Sequence, residues 1–118
     1  MGQSLNMVVL IGRVGRRPEL RTTAFGARVA TFSVATDRQR AGRAGGEREP
    51  TDWHRIVAWD SLADWTAKRL DRGSRVFVEG RVEYRSWSDR SGRRRDTTEI
   101  VAEDVMVFDT ARAGSSWR

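Results

Sequence analysis

Short apolar stretches of strand character recur along this chain, alternating most cleanly over Arg75 to Tyr84, and helical spacing appears in one short stretch. Alternation puts successive side chains on opposite faces of a strand, so the pattern commits most of the chain to β-sheet. Leu5 to Val14 is a nearly continuous apolar run with Met7, Val9 and Ile11 on one face and Val8, Leu10 and Val14 on the other. That is the pattern of a strand buried on both sides. Arg28 to Thr36 is a second β-rich stretch, entered through a turn at Gly26 that ends the Arg21 to Phe25 segment. Thr51 to Trp59 reads as the third strand, Arg75 to Tyr84 as the fourth and about Thr97 to Phe108 as the last. In the fourth, Val76, Val78, Val82 and Tyr84 face one way, and Phe77, Glu79, Arg81 and Glu83 form a wetter opposite face. Between the third and fourth, Ser61 is placed to cap a short helix through Leu70, with Asp64 in its first turn, Lys68 and Arg69 in its last and Gly73 beyond its end. Leu62, Trp65 and Leu70 share its inward stripe, which makes Trp65 a packing residue.

Two long connections interrupt this pattern. Asp37 to Pro50 loses all periodicity, contains a Gly45-Gly46 pair, and carries Arg38, Arg40, Arg43 and Arg48, as expected of a long mobile basic loop. Ser88 to Gly92 is a turn, and residues 81 to 95 hold six arginines against Glu83 and Asp89, a net charge of +4 on one hairpin. The fold class that follows is all-β: a five-stranded OB-fold Greek-key barrel with one short helix between strands 3 and 4 and long loops after the second and fourth. The barrel domain is expected over residues 1–110, followed by a short disordered C-terminal tail over 111–118.

Charge narrows the class of partner. The net charge is +6, and of 22 basic residues all but Lys68 are arginine. Arginine pairs bidentately with phosphate and lies flat on a base, although a GC-rich genome also favours it. The absence of cysteine excludes a disulfide scaffold, a Cys-based metal site and a cysteine nucleophile. No leader and no run near the roughly 20 apolar residues of a membrane span is visible, so a cytoplasmic protein with no membrane contact is expected. One histidine, no phosphate-cradling glycine loop and no convincing carboxylate pair argue against an enzyme, and neither cofactor nor metal is expected.

The third strand holds the strongest functional signal. Trp53, Arg55, Val57 and Trp59 fall on one face, and Asp52, His54, Ile56 and Ala58 on the other. Two indoles roughly 20 Å apart with a guanidinium between them can stack bases and neutralise phosphates. A single strand tryptophan is more often core, but the intervening charge argues against a dry face here. OB barrels bind oligonucleotides across the strand two and three face and the adjoining loops, and in this chain those regions carry Arg40, Arg43, Trp53, Arg55, Trp59, Trp87 and the Arg93 to Arg95 run. A protein-interaction module with incidental DNA contact, and RNA binding, remain alternatives on these residues alone.

The sequence resembles the bacterial single-stranded-DNA-binding protein family from Leu5 to about Val107. The resemblance is carried by Val9-Leu10-Ile11-Gly12-Arg13-Val14-Gly15, Pro18-Glu19-Leu20-Arg21, Thr51 to Val57, Gly73-Ser74-Arg75-Val76, Val78-Glu79-Gly80, Trp87 and Thr97-Thr98-Glu99. It implies a homotetramer that wraps single-stranded DNA for replication, recombination or repair, in the cytoplasm and on the nucleoid. It implies stacking by Trp53 and Trp87, and by Trp59 where the family usually has phenylalanine. Arg55, Arg72 and Arg85 match basic positions, and Arg21 and Arg95 join the DNA-binding set. Arg40 stands where a third tryptophan is usual, while Ser61 and Glu83 stand where basic residues are common. His54 matches a histidine associated with the subunit interface. Members that recruit replication and repair partners do so through an acidic C-terminal tip, and the chain stops at Trp117-Arg118 without one. The expectation is therefore a tail-less paralogue or a truncated core, without tip-mediated recruitment.

Overall fold

A computed structural model describes residues 2–38 and 50–108, and the backbone of residues 115–116. The elements in chain order are β1 (Val8–Val14), β2 (Glu19–Thr22), β3 (Arg28–Asp37), β4 (Thr51–Trp59), α1 (Asp60–Arg69), β5 (Arg75–Ser88), β6 (Arg94–Val107) and β7 (Ser115–Ser116). β1 pairs antiparallel with β5 along its length, and at Arg13↔Ala35 and Val14↔Val34 it also pairs with β3. β3 pairs antiparallel with β4, β4 runs parallel to β6 at Ile56↔Ile100 and Val57↔Val101, and β6 returns antiparallel to β5. The circuit β1, β5, β6, β4, β3 and back to β1 is a closed five-stranded barrel with α1 between its third and fourth strands, the OB-fold expected from the sequence.

Closure bends the strands where they cross, and glycine permits the approach. At Gly80, beside a bulge in the β5–β6 register, an added Cβ would strike the Val101 carbonyl oxygen; at Gly12 it would strike that of Ala35. Phe32, Val34, Ile56, Val78, Ile100 and Val105 point inward and are buried. Leu62 of α1 and Leu70 at its C-cap join this cluster, and Trp65 packs on its edge. Among the described residues no helix is long and apolar enough to cross a membrane.

Several elements differ from the alternation pattern. The first strand is not buried on both faces: Val8 and Leu10 pack inward, but Met7, Val9 and Ile11 lie outside the barrel wall, with Val9 and Ile11 each 51% exposed. β2 is an additional short strand on β3, invisible as a strand because all four of its residues are exposed. The fourth and fifth barrel strands are longer than their apolar segments. The β5–β6 ladder continues to Ser88↔Arg94 beyond the barrel, so Tyr84, expected on the inward face, is exposed on a protruding arm. Ser61 is not the helix cap; Trp59 takes that position without a side-chain hydrogen bond, and Asp60 begins the helix at a φ of 56°. Asp64 bonds Arg28 of β3 instead of serving the helix dipole. Two residues of the stretch expected to be a disordered tail, Ser115 and Ser116, pair with Val107 and Met106.

Candidate nucleic-acid interface

β4 supplies the spine of the outer face. Its partner register sets Trp53 opposite Ala35, Arg55 opposite Ser33, Val57 opposite Thr31 and Trp59 opposite Val29. Opposed residues of an antiparallel pair share a face, so two indoles and a guanidinium stand over a floor of small and hydroxylated side chains. Trp53 is 61% exposed and Trp59 42%, whereas Ile56 and Ala58 on the alternate face are fully buried. Val57, between the tryptophans' ends, is buried and closes the floor.

The β5–β6 arm forms the second wall. Arg85 stands opposite Thr97 and Trp87 opposite Arg95, which keeps Glu83, Arg85 and Trp87 on one side together with Glu99, Thr97 and Arg95. Trp87 is 48% exposed. The arm meets β4 at Glu99, a residue only 4% exposed. Its Oε2 accepts a 3.0 Å hydrogen bond from Arg55 Nε and lies 3.5 Å from Arg85 Nη1. Two half-exposed guanidiniums from different walls thus share one buried acceptor, which anchors each of them.

Three concavities join at this node. The first, of about 400 Å³, is lined by Arg16, Arg17, Glu19, Thr31, Ser33, Trp53, His54 and Arg55 among others. The second, about 300 Å³, runs past Arg21 and Trp59 to Arg55, Arg85 and Glu99. The third, about 360 Å³, lies between Arg55, Arg85, Trp87, Thr97 and Glu99. Arg55 borders all three, which places them side by side along the outer face of β4.

The expected site residues therefore divide. Trp53, Trp59, Trp87, Arg55, Arg85 and Arg21 line the groove, Arg21 with a 2.8 Å ion pair to Glu19. Arg95 shares the Trp87 face, but its Nε bonds Asp89 at 2.9 Å, so its charge braces the hairpin turn. Arg72 stands apart, in the turn between α1 and β5, whose Gly73 N–H donates to Val14 O. Arg40 and Arg43 lie outside the described residues. Arg38, the last described residue before them, forks onto both oxygens of Asp52 at 3.0 Å and holds that carboxyl below its ordinary pKa. The hairpin's excess of arginine is likewise partly neutralised, since Arg81 pairs with Glu83 and Glu103, and Arg94 with Asp96. His54 is half-buried and shares a 2.8 Å hydrogen bond between Nε2 and Thr36 Oγ1.

Sequence reasoning missed two parts of this site. Glu99 was legible only as a motif residue, although an acid leading the buried run Ile100-Val101-Ala102 signals a charge in need of a partner. Gly15 was the other. A Cβ there would lie 2.5 Å from Trp53 Cζ3 and 2.7 Å from Ser33 Oγ, so the bare backbone makes room for the Trp53 ring.

Comparison with known proteins agrees with this geometry. A family model described as the single-strand binding protein family matches residues 5–108. The chain is 42% identical over 115 residues to single-stranded DNA-binding protein 1 of Chlorobaculum tepidum, covering 97% of this chain and 71% of that protein. It is 41% identical over 106 residues to the single-stranded DNA-binding protein of Rickettsia felis, covering 88% of this chain and 70% of that one. A Plasmodium falciparum SSB complex with ssDNA superposes with a TM-score of 0.80 at 37% identity, over 92% of this chain and 99% of that chain.

Proposed function

The chain belongs to the single-strand binding protein family, and from that premise we propose that its groove binds single-stranded DNA without regard to sequence, by base stacking and phosphate neutralisation. The observation that carries the reading is the set of three half-exposed tryptophans on two walls, joined through the Arg55–Glu99–Arg85 node. Every base has a π face, so each stacked base contributes on the order of 1–3 kcal/mol whatever its identity. Glu99 holds Arg55 through Nε, which turns the Nη fork toward a phosphate without the entropy of ordering a free side chain. Trp53, Trp59 and Trp87 are the stacking platforms; Arg55, Arg85 and Arg21 hold the backbone, with Arg40, Arg72 and Arg95 as outlying phosphate contacts. The groove's chemistry is stacking and ion pairing, and no reaction is assigned to it.

The same reading makes the protein a homotetramer that protects single strands during replication, recombination or repair, in the cytoplasm and on the nucleoid. The apolar outer face of β1 supports assembly, because Met7, Val9 and Ile11 form an exposed row that water disfavours. His54 is proposed to lie at a subunit contact.

Trp53→Ala and Trp87→Ala test the stacking assignment. Each is expected to weaken binding to any single-stranded sequence by roughly 5- to 150-fold, the equivalent of one lost stacking contact of about 1–3 kcal/mol. Unchanged affinity and unchanged tryptophan quenching in both variants would show that the groove is misassigned.

A further inference from the structure

Resting on the single-strand reading above, we propose that the loop between β1 and β2 is a further phosphate seat, in which Arg16 and Arg17 hold the DNA backbone beyond Trp53. The concavity at the Trp53 end, about 400 Å³, is within the size range of small-molecule sites and is floored by the Thr31 and Ser33 side chains. Its charges are unequally committed. Arg55 is bonded to Glu99, and Glu19 is paired with Arg21 at 2.8 Å. Arg17 has only a 3.9 Å contact with Asp71 between two largely exposed side chains, a pair of little worth in water. Arg16 has no ion pair among the described residues. Two cations are therefore available to an anion beside an exposed indole.

The loop that carries them is held at both ends. Gly15 N–H donates to Ser33 O at 3.0 Å, and Gly73 N–H donates to Val14 O at 2.7 Å, which ties the loop's root to β3 and to the turn after α1. Pro18 is buried and fixes φ at the far end, just before β2 begins. Arg16 and Arg17 are thus presented from an anchored backbone while their side chains stay exposed. A strand that stacks one base on Trp53 can carry its next phosphodiester past this loop, and the cations there favour that course.

The test is the salt dependence of poly-dT binding by the full chain, compared between wild type and R16A/R17A, with K68A/R69A as a matched control. Lys68 and Arg69 occupy the last turn of α1 and line none of the three concavities. With a slope of about −0.7 per phosphate neutralised on a single strand, the R16A/R17A slope of log affinity against log salt is expected to be shallower by about 1.4. The control is expected to keep the wild-type slope. A wild-type slope in R16A/R17A, with wild type preferring single strands, overturns the proposal and leaves the tryptophan groove standing. Equal flattening in both double variants also overturns it, since the effect is then one of net charge. A wild type without preference for single strands refutes the reading beneath it as well. Thermal unfolding of both variants, expected to be unchanged for exposed side chains, separates these outcomes from misfolding.

Discussion

Gly15→Ala isolates the seating of Trp53 from every atom expected to touch DNA. An added Cβ would stand 2.5 Å from Trp53 Cζ3, 3.1 Å from Cη2 and 2.7 Å from Ser33 Oγ. All three are side-chain atoms on an open surface, and Trp53 is 61% exposed, so the clash is relieved by swinging the indole away without deforming the barrel. The backbone at Gly15 has no positive φ, so alanine adds no strain and reduces the unfolded chain's freedom by about 0.4–1 kcal/mol. Stability is therefore expected to stay within about 1 kcal/mol of wild type. Binding is not, because a displaced ring loses part or all of a stacking contact of about 1–3 kcal/mol. Loss of about half such a contact weakens binding by roughly 2- to 15-fold. A double-mutant cycle of G15A with W53A, read by titration with poly-dT, gives the decisive comparison. On the W53A background, G15A is expected to have no further effect. An affinity loss of equal size on both backgrounds, or none on either, would refute the claim that Gly15 acts by seating Trp53.

Three other predictions follow from particular contacts. Arg55→Ala strands the buried Glu99 carboxylate with Arg85 as its remaining partner at 3.5 Å, costing about 1–3 kcal/mol in urea unfolding, whereas Glu99→Gln leaves half-exposed guanidiniums that water can solvate and costs less; the reverse order would contradict the anchoring role. The Asp89 carboxyl is held below its ordinary value of 3.8, chiefly by Ser91 and then by Arg95 and backbone N–H groups. Its contribution to the β5–β6 turn is therefore present above the unfolded value and is lost as pH falls through the lower folded one; amide shifts of Ser91 and Arg93 should report this loss, and in Asp89→Asn it should vanish. Val9→Arg places a charge in the exposed row of β1 and should lower the mass seen in sedimentation if the proposed tetramer forms through that face; a tetramer mass unchanged by the substitution would exclude that face as the subunit contact.

Much of the barrel was legible because burial imposes period two wherever a strand has one wet face. Arg28 to Thr36 and Thr51 to Trp59 have such faces, and their limits in the structure, Asp37 and Trp59, lie within a residue of those read from the pattern. The signal failed where both faces are wet, which is why β2 escaped notice and the strand limits read for β5 and β6 stop short of residues 85–88 and 94–96, although those residues were read as one hairpin and their ladder is complete. It misled at β1, since an apolar row reads the same whether it meets the core or stands outside the wall. In the site, tryptophans and arginines announced themselves by type. Commitment of charge did not, because the pairing of Arg95 with Asp89, Arg38 with Asp52 and Arg55 with Glu99 depends on cross-strand register that a single sequence does not display. Gly15 was silent for the same reason: its meaning lies in the ring it leaves room for.

Titration of the protein with poly-dT and with duplex DNA at two salt concentrations, read by tryptophan fluorescence, asks whether the groove stacks single-stranded bases. Exposed indoles that stack on bases should be quenched by the single strand and scarcely by the duplex, whose bases are already stacked, and the single-strand affinity should be higher and fall as salt rises. Equal weak binding of both, without quenching, would mean that the groove is not a single-strand stacking site.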